Sequence, residues 1–253
     1  MLPLPARRPP SQSIAGYVSS PARPGAYWTF YWAVTAAQLA RWLPPRPSCV
    51  LDISGPQAQA TPQAAGAGHR VIQVLSGPPE DPPRKGVHPV VADPTSLGFL
   101  ADGCVDAVIA EDRVLSRHLL TEATIGEIAR VLRPGGRVLL CVDSLTLGMA
   151  VLAEQDRWAH LSDVPSAEVV LVPWPDGSIT RCFWAEQLRE LLTDAGLEPE
   201  WIRPRTVLSP STVEYVLGRN PRALTRLVRT ELAASDTDES LGVHLVASAV
   251  RVR

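Results

Sequence analysis

The stretch that most constrains how this chain can fold is Arg130-Val-Leu-Arg-Pro-Gly-Gly-Arg-Val-Leu-Leu140. Arg130 and Arg133 stand where cations suit a helix carboxyl end. Pro134 cannot continue a helix, and Gly135-Gly136 supply the open backbone angles of a reversal. Val138 to Val142 is then a continuous apolar run, as a strand covered on both faces requires. The stretch therefore predicts helix, turn and buried strand in immediate succession. A chain carrying that unit belongs with the layered α/β architectures.

The flanking sequence repeats the unit. Ala26 to Leu43 has helical spacing, with Trp28, Trp32, Leu39 and Leu43 on one stripe and Tyr27, Tyr31 and Val34 on its neighbour. So broad an apolar surface is either packed on two sides or forms an aromatic wall facing substrate. Pro44-Pro45 ends it. Strands are expected at Cys49–Ile53, Arg70–Leu75, Pro89–Ala92 and Val105–Ala110, with a helix over Gln57–Ala67, no helix in the proline-rich 77–89, and a helix over Leu119–Leu132. Beyond the fifth strand, Ser144–Leu161 reads as helical. Two strands, 168–173 and 178–183, flank the hairpin signal Pro175-Asp-Gly177. A helix over Trp184–Ala195 ends at Gly196, and Ser211 with Glu214 spells a capping box between two last strands, 201–208 and 243–253. The expected fold is α/β: a doubly wound, seven-stranded, mostly parallel sheet with a β-hairpin insertion after strand five. Residues 1–24 read as a flexible tail and 25–253 as a single domain, with a lid helix at 25–47 and the insertion at 162–183.

Composition narrows the function classes. A net charge of −2 lacks the clustered basic face of a nucleic-acid binder. Lys85 is the only lysine among 24 basic residues, the drift of a GC-rich genome. No apolar run approaches the roughly 20 residues that cross a bilayer, and a cytoplasmic protein is expected. The four cysteines and five histidines show no metal-ligand spacing, so reduced thiols and no metal are expected.

In open α/β sheets a ligand sits outside the carboxyl ends of the strands. Here those ends carry Asp52 with the turn Ser54-Gly55-Pro56, Leu75 with Ser76, Asp93 with Pro94, Glu111 with Asp112, and Asp143 with Ser144. Acidic ends suit a ligand bearing an ammonium, a sulfonium and amine donors.

These residues resemble class I S-adenosylmethionine (SAM)-dependent methyltransferases. Val50-Leu-Asp52 looks like the start of the SAM-binding motif. Ala92-Asp93 with Leu97-Gly-Phe99 resembles the Asp with Leu-Pro-Phe whose carboxylate contacts the adenine amine. Asp102-Gly-Cys-Val-Asp106 resembles the entry to the fourth strand, and Glu127 to Gly136 the family's most regular segment. The match runs over roughly residues 48–208. It implies SAM as cofactor, with Asp52, Ser54, Gly55, Pro56, Leu75, Ser76, Asp93, Pro94 and Glu111 at its site. Two positions depart from the pattern. Of the family's three first-turn glycines only Gly55 remains, beside Pro56, which has no N–H to offer. Leu75 stands where an acid normally grips the ribose hydroxyls. Weak or induced SAM binding is the expectation.

His118 and Glu111 are the candidate catalytic residues, and Tyr27, Tyr31, Trp158 and Trp184 the candidate substrate pocket. An aromatic pocket suits a small apolar acceptor. Three readings stay open: methyl transfer to a small metabolite, an inactive pseudo-methyltransferase serving as scaffold or regulatory subunit, and a SAM-fold protein recruited to other chemistry. The expected partner is a small molecule, with no nucleic acid and no membrane, and a homodimer is possible.

Overall fold

The computed structural model describes residues 25–55, 59–79, 81–234 and 242–252. The tail expected over residues 1–24 lies outside them. In chain order the elements are α1 Ala26–Trp42, β1 Cys49–Asp52, α2 Ala60–Gly66, β2 Arg70–Leu75, β3 Val87–Val91, β4 Val105–Ala110, α3 Val114–Arg117, α4 Thr121–Val131 and β5 Leu132–Ser144. There follow α5 Leu145–Glu154, α6 Trp158–Asp163, β6 Val170–Pro173, β7 Ile179–Phe183, α7 Ala185–Asp194, β8 Leu197–Arg205, α8 Pro210–Arg219, α9 Leu224–Ala234 and β9 His244–Arg251.

The central sheet runs β3-β2-β1-β4-β5-β9-β8. β1 to β5 are mutually parallel, and β9 is antiparallel to both β5 and β8. β8 therefore runs parallel to β5, and its carboxyl end lies on the same edge of the sheet. The doubly wound seven-stranded sheet read from the sequence is thus present. The insertion is present as well. β6 and β7 pair antiparallel, and β7 continues alongside β5 at Asp143↔Cys182 and Ser144↔Phe183. Its turn forms as the Pro-Asp-Gly signal requires, with Gly177 at φ +87° and Ser178 N–H donating to Asp176 Oδ1. Gly148 of α5 packs tightly on it, since a Cβ there would stand 2.8 Å from Cys182 Sγ.

Three local expectations change. The Pro-Gly-Gly turn is a bulge inside β5, which starts at Leu132 directly after α4; the β4–β5 register shifts between Val105 and Ala107. Gly135 takes φ +77°, and a Cβ on Gly136 would lie 3.0 Å from the Asp106 carbonyl, so the two strands close on each other only without side chains there. The helix expected over Ser144–Leu161 is broken into α5 and α6, with Asp156 at φ +57° between them. α8 is capped by Ser209, not Ser211, with Pro210 in its first turn. Glu214 serves a different helix instead. Its Oε1 accepts from Tyr27 N–H at 2.9 Å and so caps α1, which has no side-chain cap of its own. As expected, 77–86 forms no helix among the described residues.

The core lies on both faces of the sheet. Leu51, Val108, Ile128, Leu140 and Leu188 pack on one side, and Leu39, Trp42, Val50, Ala64, Ile109 and Leu139 on the other. α1 also packs with Val213 and Leu217 of α8 and with partly buried residues of α9. No described helix is long and apolar enough to cross a membrane.

Candidate functional site at the carboxyl edge of the sheet

Asp52 closes β1, and it is fully enclosed. Its Oδ1 accepts from Ser54 N–H at 2.9 Å and its Oδ2 from the Thr61 hydroxyl at 2.6 Å. Burial raises its pKa against those bonds. The pairing fixes the turn after β1, where Gly55 sits at φ +88°. Among the described residues, no heavy atom lies within 4 Å of the place its Cβ would occupy. Pro56 lies outside the described residues. Ser54 also links the strand ends, accepting from Glu111 N–H at 2.8 Å.

Glu111 closes β4 as expected, but both its oxygens are taken. Arg205, at the end of β8, donates from Nη1 to Oε2 at 2.6 Å and from Nη2 to Oε1 at 2.9 Å. Both side chains are buried, and Arg205 Nε donates to Gln38 Oε1 of α1 at 2.7 Å. The backbone on either side is strained: Asp112, Arg113 and Thr206 all hold left-handed φ angles of 55–62°.

Next to this pair lies a second buried network. Tyr31 Oη sits 3.1 Å from His244 Nδ1, and His244 Nε2 lies 3.4 Å from Asp143 Oδ1, which also accepts from Arg113 Nη1 at 3.3 Å. Burial, with the charge of Arg113 second, drives the His244 pKa well down, so the ring is neutral. The neutral ring can accept at Nδ1 from the Tyr31 hydroxyl, while Nε2 approaches Asp143 without a hydrogen bond. Asp143 Oδ2 and His244 Nε2 both lack a hydrogen-bond partner among the described residues.

The outer rim is more open. Leu75 is buried and Ser76 exposed at the end of β2, and both line a cleft of about 620 Å³ with Gln59, Thr61 and Gln73. No described helix follows β2 to cover this face, and the loop at 76–86 forms its outer wall. Asp93 is exposed. Its Oδ1 accepts from both the N–H and the hydroxyl of Thr95, at 2.8 and 2.7 Å. Those bonds lower its pKa, with a smaller effect from the charge of His118. Pro94 beside it is half-buried.

The candidate residues therefore fall into separate groups. His118, half-buried at the end of α3, lies close enough to Asp93 for its charge to be felt there. Tyr27 and Tyr31 are core residues of α1, the first donating to Thr206 Oγ1 at 3.1 Å. Trp184 packs partly buried against the cluster beneath the hairpin, and Trp158 is exposed on α6. None of the four lines the cleft at the end of β2. The sequence reading missed Arg205, Thr61 and the Tyr31–His244–Asp143 series. Applied to β8, the same attention to strand ends singles out Arg205. Among the described residues, no group of three His, Cys, Asp or Glu side chains could hold a metal ion.

Comparison with known proteins agrees with this architecture. Residues 36–140 match a family model described as a methyltransferase domain. No curated protein matches the chain. Among solved structures, 1,6-didemethyltoxoflavin-N1-methyltransferase from Burkholderia thailandensis is 20% identical with a TM-score of 0.55, covering 100% of this chain and 93% of that one. An S-adenosylmethionine dependent methyltransferase from Mesorhizobium loti is 15% identical, with a TM-score of 0.56 and coverage of 90% and 99%. Geranyl diphosphate C-methyltransferase from Streptomyces coelicolor is 13% identical, with a TM-score of 0.54 and coverage of 87% and 79%. At such identities the likeness is one of fold. Residues 36–140 are thus similar to a methyltransferase domain, and the chain as a whole has the fold of the class I SAM-dependent methyltransferases.

Proposed function

We propose that this chain transfers a methyl group from SAM to a small, apolar metabolite at the carboxyl edge of its sheet. The observation that carries the reading is the cleft of about 620 Å³ at the end of β2, whose wall includes Thr61, the partner of Asp52. Its volume falls within the roughly 300–1,000 Å³ of small-molecule sites. Ser76 of the cleft and the neighbouring strand-end residues Gly55 and Asp93 fit the cofactor in kind. Gly55 leaves backbone open to close approach, Ser76 offers a hydroxyl, and Asp93 Oδ2 is not engaged by Thr95 and can accept from an adenine amine. Bound SAM would supply the electrophilic methyl group. The Burkholderia and Streptomyces proteins were both solved with S-adenosylhomocysteine and a small-molecule ligand, which supports the choice of cofactor and acceptor class.

Methyl transfer asks the protein mainly to align donor and acceptor, and a base is needed only where the acceptor keeps a proton. We assign that role to His118, whose charge reaches Asp93, because Arg205 holds both oxygens of Glu111. The four cysteines are free thiols, with Cys141 pushed up to about 12 by burial, which suits a reducing cytoplasm.

A specific observation favours a second reading, the pseudo-methyltransferase. Leu75 faces the cleft where the ribose would need an acid. Calorimetric titration with SAM and S-adenosylhomocysteine separates the two. Saturable binding is expected. A folded protein that binds neither at millimolar concentration would sink methyl transfer and leave the scaffold.

A further inference from the structure

The geometry points to a buried subsite for a single hydroxyl group on an apolar body, at the carboxyl end of β5. Asp143 lies at the end of that strand and His244 opens β9, and the two are paired in register, so both stand on the carboxyl edge. They are 0% and 2% exposed, yet Asp143 Oδ2 and His244 Nε2 have no hydrogen-bond partner among the described residues. Buried polar atoms are nearly always paired, and two orphans side by side mark a place built for a polar guest. The neighbours fix what each atom offers. Arg113 Nη1 donates to Asp143 Oδ1 at 3.3 Å, which leaves Oδ2 as the open acceptor. Tyr31 Oη lies 3.1 Å from His244 Nδ1. With Tyr31 donating there, the one proton of the neutral ring sits on Nε2 and makes that atom a donor. Nε2 is 3.4 Å from the Oδ1 of the same carboxylate, so donor and acceptor stand together. A hydroxyl serves both through one oxygen, giving its proton to Oδ2 and accepting from Nε2. An ammonium would satisfy only the carboxylate, and a carbonyl only the ring.

The way in is past Arg113. Its side chain is 13% exposed, against 0% for Asp143 and 2% for His244, and its guanidinium lies 5.8 Å from the Trp174 ring of the hairpin. Its contact with Asp143 is longer than the roughly 2.7–2.9 Å of a tight charge-assisted bond, and its backbone holds φ at 59°. Only β4 separates β1 from β5, so Asp143 stands about 10 Å along the edge from Asp52. An acceptor reaching from a cofactor beside Asp52 would lodge its hydroxyl here. That placement rests on the methyl-transfer reading, whereas the binding of a hydroxyl does not require SAM.

Phenol and toluene, nearly equal in shape, are the probes. Calorimetric titration of the full chain without SAM should show saturable phenol binding, with toluene weaker by about 10- to 150-fold, the worth of one charge-assisted hydrogen bond. Asp143→Leu should weaken phenol by a similar factor and should not weaken toluene. A crystal of the parent soaked in phenol needs no variant, and should place the phenol oxygen within about 3 Å of Asp143 Oδ2 and His244 Nε2. The proposal is overturned if phenol does not bind saturably, which would leave the two atoms to water alone. Toluene binding as tightly as phenol, or a phenol oxygen lying elsewhere in the soaked crystal, overturns it equally. A chain that binds phenol here but not SAM keeps the subsite and loses methyl transfer; one that binds SAM but not phenol does the reverse.

Discussion

The Glu111–Arg205 pair makes a quantitative prediction. Arg205→Met removes two bonds at 2.6 and 2.9 Å to a carboxylate that is 1% exposed, together with the bond to Gln38. A charge-assisted hydrogen bond is worth about 1.5–3 kcal/mol, while the pair's own desolvation offsets much of that sum. Stranding one charge in the interior has no such offset and costs about 3–5 kcal/mol. Glu111→Leu should cost a comparable amount, since Arg205 would keep only Gln38. The double variant, with apolar side chains at both positions, should recover most of the loss, because apolar replacement of a buried pair is often neutral or stabilising. Urea unfolding followed by tryptophan fluorescence, on parent, both singles and the double, reads all four corners. A single variant that loses less than about 1 kcal/mol would refute the premise that the charges are dry and mutually dependent. So would a double variant as unstable as the two singles added.

Gly136→Ala should cost about 1–3 kcal/mol in thermal unfolding, because the new Cβ would meet the Arg133 carbonyl at 2.8 Å and the Asp106 carbonyl at 3.0 Å; an unchanged midpoint would mean the bulge yields freely. His244 is neutral in the fold and takes a proton below about pH 6.5 when unfolded, so stability should drop as pH falls below that point. His244→Gln should flatten the drop, and a curve of the same shape would contradict the neutral ring. Asp52 has a raised pKa in the fold, so it binds its proton more tightly there than in the unfolded chain, and its contribution should fall as pH rises from about 4. Asp52→Asn should lack that fall in a pH series of denaturation midpoints. Asp93→Ala should weaken S-adenosylhomocysteine binding by about 10- to 150-fold in calorimetry, and an unchanged affinity would place the adenine elsewhere.

The fold was legible because its signals are local. β2 and β4 run as read, since apolar runs bounded by glycine and acidic turn formers leave little choice of ends. Leu197 to Glu200 does not read as strand because Glu198, Pro199 and Glu200 interrupt the apolar pattern, and only pairing with β9 makes it one. The capping box at Ser211 has the right spacing, but a hydroxyl two residues earlier, followed by proline, competes for the same helix start. The edge of the site was legible as a set of strand-end acids. What each acid does was not, because that depends on partners far along the chain. Arg205 is 94 residues from Glu111, and His244 is 213 from Tyr31. No spacing rule reaches across such intervals. Tyr31 and Tyr27 read as a wall that could face either way, and the hydroxyl partners on β9 and after β8 turn them inward.

The cap on α1 sets a clock for synthesis. The first described helix to leave the ribosome carries Tyr27, Trp28, Phe30, Tyr31 and Val34, all buried in the finished protein. The carboxylate that holds its first turn comes 187 residues later, as do the helices that cover its outer face. At about 5–20 residues per second, that aromatic surface waits roughly 10–40 s for its cover. During that interval the nascent chain leaves this aromatic segment uncovered, so chaperone engagement in the cell should concentrate on α1.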